Sequence, residues 1–343
     1  MLSRTILRRN FATAVRYHAH GVPTQVLKVE DETVSTTLKA GEVALKFLAA
    51  PINPADLHMI RGGYGIKPSF PAVGGNEGVA RVTAVGSGVS GVKVGDRVIP
   101  AVGGFGTWRT EAVAKEAEVL VVPNNIPVEY AATLSVNPAT AYRLLADFAK
   151  LERGDVVIQN AANSSVGQAV IQLAKLRGIQ TINIIRDDER YAETVEHLKG
   201  LGATIVCTDD YLGSADFKRL IADLPAPKLA LNAVGGVTSL EFTKALGKNG
   251  VVVSYGGMGH EPVLASTTAL IFKNVSLRGF WLSEWVKTAP VSERKAMLTE
   301  LATLMAKGKL RSWVETYPLA DFDKALDVAV NRLTKRKVVV LME

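Results

Sequence analysis

The sequence predicts an α/β protein made of two parts, a mostly antiparallel β domain and a doubly wound parallel sheet. Short apolar runs separated by Gly, Pro, Asn and Asp turns fill residues 25–123, which is typical of antiparallel strands. After Asn137-Pro138, which we interpret as an N-cap and a first-turn proline, apolar strands alternate with helical segments. This alternation predicts a parallel sheet with crossover helices on its faces.

In the β part, four runs read as strands, and one proline marks the start of a short helix. Asn53-Pro54-Ala55-Asp56 has a capping residue, a first-turn proline and an early carboxylate, and Gly62-Gly63 follows as a stop signal. The helix therefore delivers Tyr64 onto a glycine-rich loop. The strand candidates are Glu42–Leu48, Gly78–Val85, Gly95–Pro100 and Val119–Pro123.

In the second part, six apolar runs are predicted strands of the parallel sheet. One helix is expected from about Val166 to Leu176, and another is expected to end near Leu201-Gly202. The strand candidates are Val156–Ile158, Thr181–Ile185, Ile205–Val206, Leu229–Asn232, Val251–Ser254 and Val275–Leu277. The segment after Trp313 carries a predicted helix around Phe322–Leu333 and an apolar final strand, and we expect it to return to the first domain.

Composition and length favour a globular protein with two cores. The chain has 343 residues, 48% of them hydrophobic and 21% charged, and chains above about 250 residues usually form more than one core. No apolar run reaches the roughly 18 residues of a transmembrane helix. The single cysteine, Cys207, excludes a disulfide framework, so we expect a soluble protein in a reducing compartment.

The first 29 residues contain arginines but no acidic side chain, as is typical of a mitochondrial presequence. Loss of residues 1–11 removes three arginines and lowers the formal charge from +7 to +4. A disordered basic terminus is the alternative interpretation. The remaining charge is small and no aromatic residues are interleaved with Lys and Arg, so we expect no nucleic-acid partner. We expect residues 1–21 to be presequence and arm, 22–136 the β domain, 137–312 the cofactor domain, and 313–343 the return.

The turn Asn160–Gly167 follows a predicted strand and opens a predicted helix, where a dinucleotide pyrophosphate binds helix amides. Ala162 and Ser164 replace two of the usual glycines, and an ordinary capped turn is the alternative. Further along, Arg186 stands where an NAD enzyme has an acidic residue on the ribose hydroxyl. A guanidinium pairs with phosphate, so NADPH is preferred over NADH, although a one-residue register change would place Asp187 there.

Gly74-Gly75-Asn76-Glu77-Gly78 is similar to the Gly-His-Glu element of zinc alcohol dehydrogenases, with Asn76 in place of the histidine that binds zinc. A neutral carboxamide is a poor zinc ligand, and one cysteine cannot supply a four-thiolate structural site. We therefore expect no metal. Tyr64 is a candidate proton donor, because a phenol keeps its hydrogen at neutral pH. A loop tyrosine that only packs on substrate is the alternative.

Several motifs together resemble the medium-chain dehydrogenase/reductase superfamily and, within it, the mitochondrial trans-2-enoyl-CoA (acyl-carrier-protein) reductases. The resemblance runs from about His18 to the C-terminus. Its motifs are Ile52–Asp56, Gly63-Tyr64-Gly65, Pro71–Gly78, Gly106–Glu111, Val136–Arg143 and Tyr255–Met258.

This resemblance implies a GroES-like catalytic domain, a Rossmann cofactor domain and reduction of enoyl thioesters by NADPH in fatty-acid biosynthesis in the mitochondrial matrix. The substrate would be carried by coenzyme A or acyl carrier protein, and the protein would be a homodimer. Tyr64 takes the family's proton-donor role. The implied NADP contacts are Asn137, Asn163, Ser164, Ser165, Val166, Arg186, Asp187, Asp188, Tyr255, Gly256, Gly257, Met258, Phe280, Trp281, Leu282 and Lys337. From sequence alone, Lys337 and the aromatic residues among these are also compatible with a solvated charge and with core packing.

Two other functions stay open at this level. A zinc-free quinone or alkenal reductase would share the fold and NADPH but has no need of the Tyr64 loop. A non-enzymatic NADPH-binding or RNA-binding protein is an alternative of a different class, which the modest positive charge disfavours.

Overall fold

A computed structural model describes residues 12–331 and 336–342, and the proposed presequence residues 1–11 lie outside this range. The chain forms two compact units. The first contains the described residues up to Ser135 together with those from Val314 onward, and the second runs from Val136 to Trp313. Within the described ranges, no helix has both the length and the apolar character needed to cross a membrane.

The first unit is mostly antiparallel β-structure. Its helices are α1 (Pro23–Val26), α2 (Pro54–Ile60), α3 (Val128–Ala132) and α12 (Phe322–Asn331). Its strands are β1 (Ala12–Tyr17), β2 (Lys28–Glu32), β3 (Glu42–Pro51), β4 (Ala72–Val73), β5 (Val79–Val85), β6 (Arg97–Pro100), β7 (Glu111–Lys115), β8 (Val119–Val122), β15 (Val314–Pro318) and β16 (Lys337–Leu341).

Two sheets enclose the core of this unit. One has the order β15-β16-β3-β5-β6-β8, with β7 also paired to β3, and the other has the order β2-β1-β4. Within the larger sheet only β15 and β16 pair in parallel, and β16 lies antiparallel to β3. Phe47, Trp108 and Phe322 are buried at the centre of this core.

The second unit is a six-stranded parallel sheet in the order β11-β10-β9-β12-β13-β14. The order reverses between β9 and β12, so the chain is doubly wound about β9. The strands are β9 (Val156–Gln159), β10 (Gln180–Ile185), β11 (Ile205–Thr208), β12 (Leu229–Asn232), β13 (Val251–Ser254) and β14 (Ser276–Gly279). The helices are α4 (Asn137–Asp147), α5 (Ser165–Arg177), α6 (Tyr191–Leu201), α7 (Ala215–Leu220), α8 (Gly236–Ala245), α9 (Thr267–Lys273), α10 (Leu282–Thr288) and α11 (Val291–Ala306).

The predicted fold class is confirmed, and the two β12 and β13 predictions match the observed strands residue for residue. Part of the expected N-terminal arm instead forms β1, in which Ala14, Val15 and Tyr17 are buried. Sequence analysis missed this short strand because it adjoins a basic, hydroxyl-rich segment, and because the burial of β1 depends on its pairing with β2 and β4. The expectation that Asn137 caps a helix is wrong by one position, since Val136 already has helical dihedral angles and Asn137 is the first helical residue.

Candidate functional site

The first turn of α2 is fixed by a buried carboxylate. Asp56 Oδ2 accepts a hydrogen bond of 2.7 Å from the backbone N–H of Asn53, the residue that caps the helix. Pro54 follows the cap, where the missing N–H costs no hydrogen bond. The local sequence therefore sets where α2 begins and directs its last residue, Ile60, toward the Gly62-Gly63-Tyr64 loop.

Asn76 bridges α2 and a glycine turn. Its Nδ2 donates to Asp56 Oδ1 over 2.7 Å, and its Oδ1 accepts from the backbone N–H of Gly104 over 2.7 Å. The carboxamide thus uses its donor and acceptor ends for two different segments. In the described parts of the chain, no three His, Cys, Asp or Glu side chains lie close enough together to hold a metal ion.

Asn53 connects a second buried carboxylate to a lysine. Its Nδ2 donates to Glu77 Oε1 over 2.8 Å, while Lys337 Nζ donates to Asn53 Oδ1 over 2.8 Å. Ser135 Oγ donates to the other carboxylate oxygen of Glu77 over 3.1 Å. Two carboxylates, two carboxamides and one ammonium therefore form a single buried cluster, and Lys337 is part of it and not a solvated charge.

Burial dominates the electrostatics of this cluster. Asp56 and Glu77 are both 1% exposed. Desolvation raises the pKa of Asp56 to about 6 and that of Glu77 to about 7, although hydrogen bonds and the charge of Lys337 oppose the rise. Burial in turn lowers the pKa of Lys337. The cluster therefore holds groups whose charge changes near neutral pH.

Tyr64 lies four residues beyond the end of α2 and is half-buried. Its ring meets the imidazole of His58 edge-on, with centroids 6.2 Å apart. A Cβ atom at Gly63 would lie 2.5 Å from that imidazole, so the His58 ring packs directly against the backbone of Gly63. The position of the phenol thus depends on the position of α2.

In the second unit, the turn between β9 and α5 has the form of a phosphate-binding turn. Ser164 caps α5 and its Oγ accepts from the N–H of Gly167 over 3.1 Å. A Cβ at Gly167 would come within 2.5 Å of the Ala162 carbonyl oxygen, so the helix can approach the strand only with glycine there. The first amides of a helix have no partner within it and suit an anion.

The loop after β13 brings a tyrosine to the same helix. The Tyr255 hydroxyl is buried and has no hydrogen-bond partner of good geometry. Burial strongly raises the pKa of this hydroxyl, and the nearby Ser164 side chain lowers it in part. A buried hydroxyl that lacks a partner in the protein is suited to form a hydrogen bond with a ligand. The N-terminus of α5 and this hydroxyl fit a bound dinucleotide. Gly256 and Gly257 are exposed beside them, and Met258 N–H is held by the Ala233 carbonyl.

The other predicted cofactor residues of this unit are placed as follows. Arg186 and Asp187 are exposed immediately beyond β10, which ends at Ile185, and Asp188 accepts from the backbone N–H of Arg190. Phe280 packs edge-on against Phe148, with ring centroids 5.7 Å apart. Trp281 caps α10, Leu282 begins it, and Asn137 begins α4 and is buried. Lys337 belongs to the first unit.

A buried amide network at the carboxyl ends of the strands was missed by sequence reasoning. Asn160 Nδ2 donates to Asn232 Oδ1 over 2.8 Å, and Asn232 Nδ2 donates to Ser254 Oγ over 3.0 Å. The N–H groups of Val234 and Gly235 also donate to Asn232 Oδ1. The available signal was a polar residue at the end of each of β9, β12 and β13, three strands that are neighbours in the sheet.

Family models match both parts of the chain. Residues 39–124 match the alcohol dehydrogenase GroES-like domain, and residues 165–303 match the model described as zinc-binding dehydrogenase. The fold and these matches define a two-domain oxidoreductase of the medium-chain dehydrogenase/reductase superfamily.

Relatives that match nearly the whole chain identify the family within this superfamily. The rat protein described as mitochondrial enoyl-[acyl-carrier-protein] reductase is 48% identical over 331 residues, which cover 96% of this chain and 88% of the relative. The solved Etr1p/NADP/crotonyl-CoA complex superposes with a TM-score of 0.90 at 34% identity, covering 96% of this chain and 99% of that one. The Etr1p/Etr2p heterodimer from Candida tropicalis superposes with a TM-score of 0.89 at 35% identity and with the same coverage of both chains. The chain belongs to the family of mitochondrial enoyl-[acyl-carrier-protein] reductases, as its motifs predicted.

Proposed function

We propose that this protein reduces the 2,3 double bond of trans-2-enoyl thioesters with NADPH in mitochondrial fatty-acid synthesis. The observation that carries the proposal is its likeness, over nearly the whole chain, to a solved reductase in complex with NADP and crotonyl-CoA. The enzyme class, the cofactor and the mitochondrial compartment agree with those predicted from the sequence, and they follow from family membership. We place the activity in the matrix.

NADPH, when bound, would supply the hydride for the β-carbon of the substrate, and the substrate would then carry enolate charge on its thioester oxygen and α-carbon. The chain's part is to deliver a proton to that α-carbon, and we assign this role to Tyr64. The half-buried phenol on a glycine-flanked loop supports the assignment. A positioned general acid typically contributes about 10²–10⁴-fold to rate.

The cofactor would be held by groups of the second unit. The N-terminal amides of α5 at Ser165 and Val166, with the hydroxyl of Ser164, suit the pyrophosphate. Arg186 directly follows β10 and suits a ribose phosphate. We assign the remaining contacts to Asn137, Asn163, Asp187, Asp188, Tyr255, Gly256, Gly257, Met258, Phe280, Trp281 and Leu282. The sequence resemblance adds Lys337, whose ammonium also donates to Asn53 within the buried cluster.

A second copy of this chain is the proposed partner. Strand β14 pairs with β13 and ends the order of the six-stranded sheet on that side. Helix α9, which precedes β14 in the chain, exposes Ile271 at 65% and Phe272 at 75%, and β14 itself exposes Leu277 at 42%. An apolar edge of this kind is stabilised by pairing with another edge. The heterodimeric relative shows that partner identity needs a direct test.

Oxidation of NADPH by the purified protein tests the function. We expect turnover with crotonyl-CoA and longer enoyl thioesters, and little with a quinone. Turnover of the quinone without turnover of any enoyl thioester would favour the quinone reductase alternative. Salt-dependent retention of RNA by the protein, without reductase activity, would favour the non-enzymatic one.

The role of Tyr64 needs a single-turnover measurement. The Tyr64→Phe variant keeps the ring and loses the hydroxyl, so we expect the rate of crotonyl-CoA reduction to fall about 100-fold. His58→Phe is a matched control because it keeps an aromatic ring against Tyr64. An unchanged rate in Tyr64→Phe would remove the acid role.

A further inference from the structure

We propose that Asn76 is a positioning residue, which holds the Tyr64 loop in place through two hydrogen bonds. The proposal rests on the proposed role of Tyr64. Asn76 stands where the zinc alcohol dehydrogenase motif has a histidine. In this chain its carboxamide joins α2 to the Gly103-Gly104 turn, and both segments support the loop from Gly62 to Ile66.

The first support runs through α2. Asn76 Nδ2 donates to Asp56 Oδ1, and Asp56 Oδ2 accepts from the Asn53 N–H at the start of the helix. At the other end of α2, His58 packs against Gly63 and meets the ring of Tyr64. A rotation of the helix about its first turn would therefore displace the phenol.

The second support runs through the glycine turn. Asn76 Oδ1 accepts from the N–H of Gly104, whose φ of +77° is a left-handed conformation. Ile66 lies two residues beyond Tyr64 and packs onto this turn. A Cβ at Gly103 would lie 2.9 Å from Ile66 Cδ1, and one at Gly104 would lie 3.2 Å from Ile66 Cγ2. The loop is thus held on both sides of Tyr64.

Only a side chain of this length that carries both a donor and an acceptor can bond to Asp56 and to the Gly104 N–H at once. An aspartate at position 76 would still accept from Gly104, but it would set a carboxylate against the buried carboxylate of Asp56. A leucine would leave Asp56 and the Gly104 N–H without these partners. The arrangement therefore depends on asparagine and not merely on a polar residue.

A double-mutant cycle distinguishes positioning from general stability. We expect Asn76→Asp to slow single-turnover reduction of crotonyl-CoA at least about tenfold in the wild-type background, because small misplacements of a catalytic group are costly. In the Tyr64→Phe background the same change should alter the rate less than about twofold, since the group it positions is already gone. The dissociation constant for NADPH should stay within about twofold throughout.

Asn124→Asp is the matched control, because the Asn124 carboxamide also uses both its donor and its acceptor end, here for two backbone groups of this unit. Its Oδ1 accepts from the Arg97 N–H and its Nδ2 donates to the Gly95 carbonyl, both outside the Tyr64 loop. We expect it to leave the single-turnover rate unchanged. Ile66→Ala weakens the second support without burying a charge, so it decides the question if Asn76→Asp does not fold.

The outcomes separate the two proposals. If Tyr64→Phe reacts at the wild-type rate, the acid role fails and the inference fails with it. If Tyr64→Phe is slow but Asn76→Asp and Ile66→Ala slow both backgrounds by the same factor, the acid role stands and the positioning role is overturned. Loss of the effect of both changes in the Tyr64→Phe background supports positioning.

Discussion

Lys337 Nζ lies 2.8 Å from Asn53 Oδ1, although 284 positions separate the two residues in the sequence. This hydrogen bond joins the start of the final strand, β16, to the residue that caps α2. It also places an ammonium one carboxamide away from the buried Glu77. The helix that leads to Tyr64 is therefore anchored by a polar cluster assembled from residues 53–77 and from the final strand.

The buried Glu77 should make stability depend on pH. Its pKa is raised to about 7 from a usual 4.5, so between these values the folded protein holds a proton that the unfolded chain has lost. The unfolding free energy therefore falls as pH rises through this window. We expect Glu77→Gln to reduce that fall, because a neutral side chain does not titrate. Urea unfolding of both proteins at the two ends of the window measures the difference.

The exposed Glu189 provides the control for this experiment. Glu189→Gln should follow the pH dependence of the wild-type protein. The raised pKa of Asp56 leaves Glu77→Gln with part of the dependence. An equal fall in Glu77→Gln and wild type would show that Glu77 is already ionised throughout the window.

The amide network of the second unit should support cofactor affinity. Asn232 holds the N–H groups of Val234 and Gly235 and links Asn160 to Ser254, which precedes Tyr255. We expect Asn232→Leu to weaken NADPH binding at least about tenfold, because buried polar groups of the turns lose their partner. Titration calorimetry with NADPH measures this without turnover.

Thr243→Val is the comparison for loss of stability alone. Thr243 is equally buried in this unit, but its hydroxyl donates to the Leu240 carbonyl and accepts from the Ser266 N–H, around α8 and the start of α9. If both variants bind NADPH with equally reduced affinity, the effect of Asn232 is general destabilisation and not support of the turns.

Arg186 should discriminate between the two nicotinamide cofactors. Removal of a guanidinium from a phosphate contact loses a charge-assisted hydrogen bond, which NADH never makes. We expect Arg186→Ala to weaken NADPH binding about tenfold or more and to change NADH binding less than about twofold. Arg190→Ala is the control, since Arg190 is exposed nearby at the start of α6. An equal loss for both cofactors would reassign the ribose site.

The apolar edge at α9 should determine the oligomeric state. Phe272 is 75% exposed on the helix that precedes β14, and a lysine there would place a charge in the proposed dimer contact. We expect Phe272→Lys to shift the protein toward monomer in sedimentation velocity. Val291→Lys changes an equally exposed apolar residue at the start of α11 and should leave the dimer intact. A wild-type protein that sediments as a monomer would reject the homodimer.

Local sequence by itself determined where several helices and strands of this protein begin and end. The cap and proline at Asn53-Pro54 predicted the start of α2, since such signals act within one helical turn. The apolar runs predicted β12 and β13 for a similar reason, because strands of a parallel sheet are buried on both faces. Motifs such as Gly63-Tyr64-Gly65 were specific enough to indicate the family, and they make Tyr64 the candidate proton donor.

Only the tertiary structure decided which side chains share a hydrogen bond. Lys337 reads as an isolated charge in the sequence, yet it lies against the cap of α2 because β16 pairs with β3. Asn76 reads as a lost metal ligand, and its two-sided contact with Asp56 and Gly104 emerges only after three separate segments fold together. Periodicity and turn signals report on near neighbours in the chain, whereas these contacts depend on how distant segments pack.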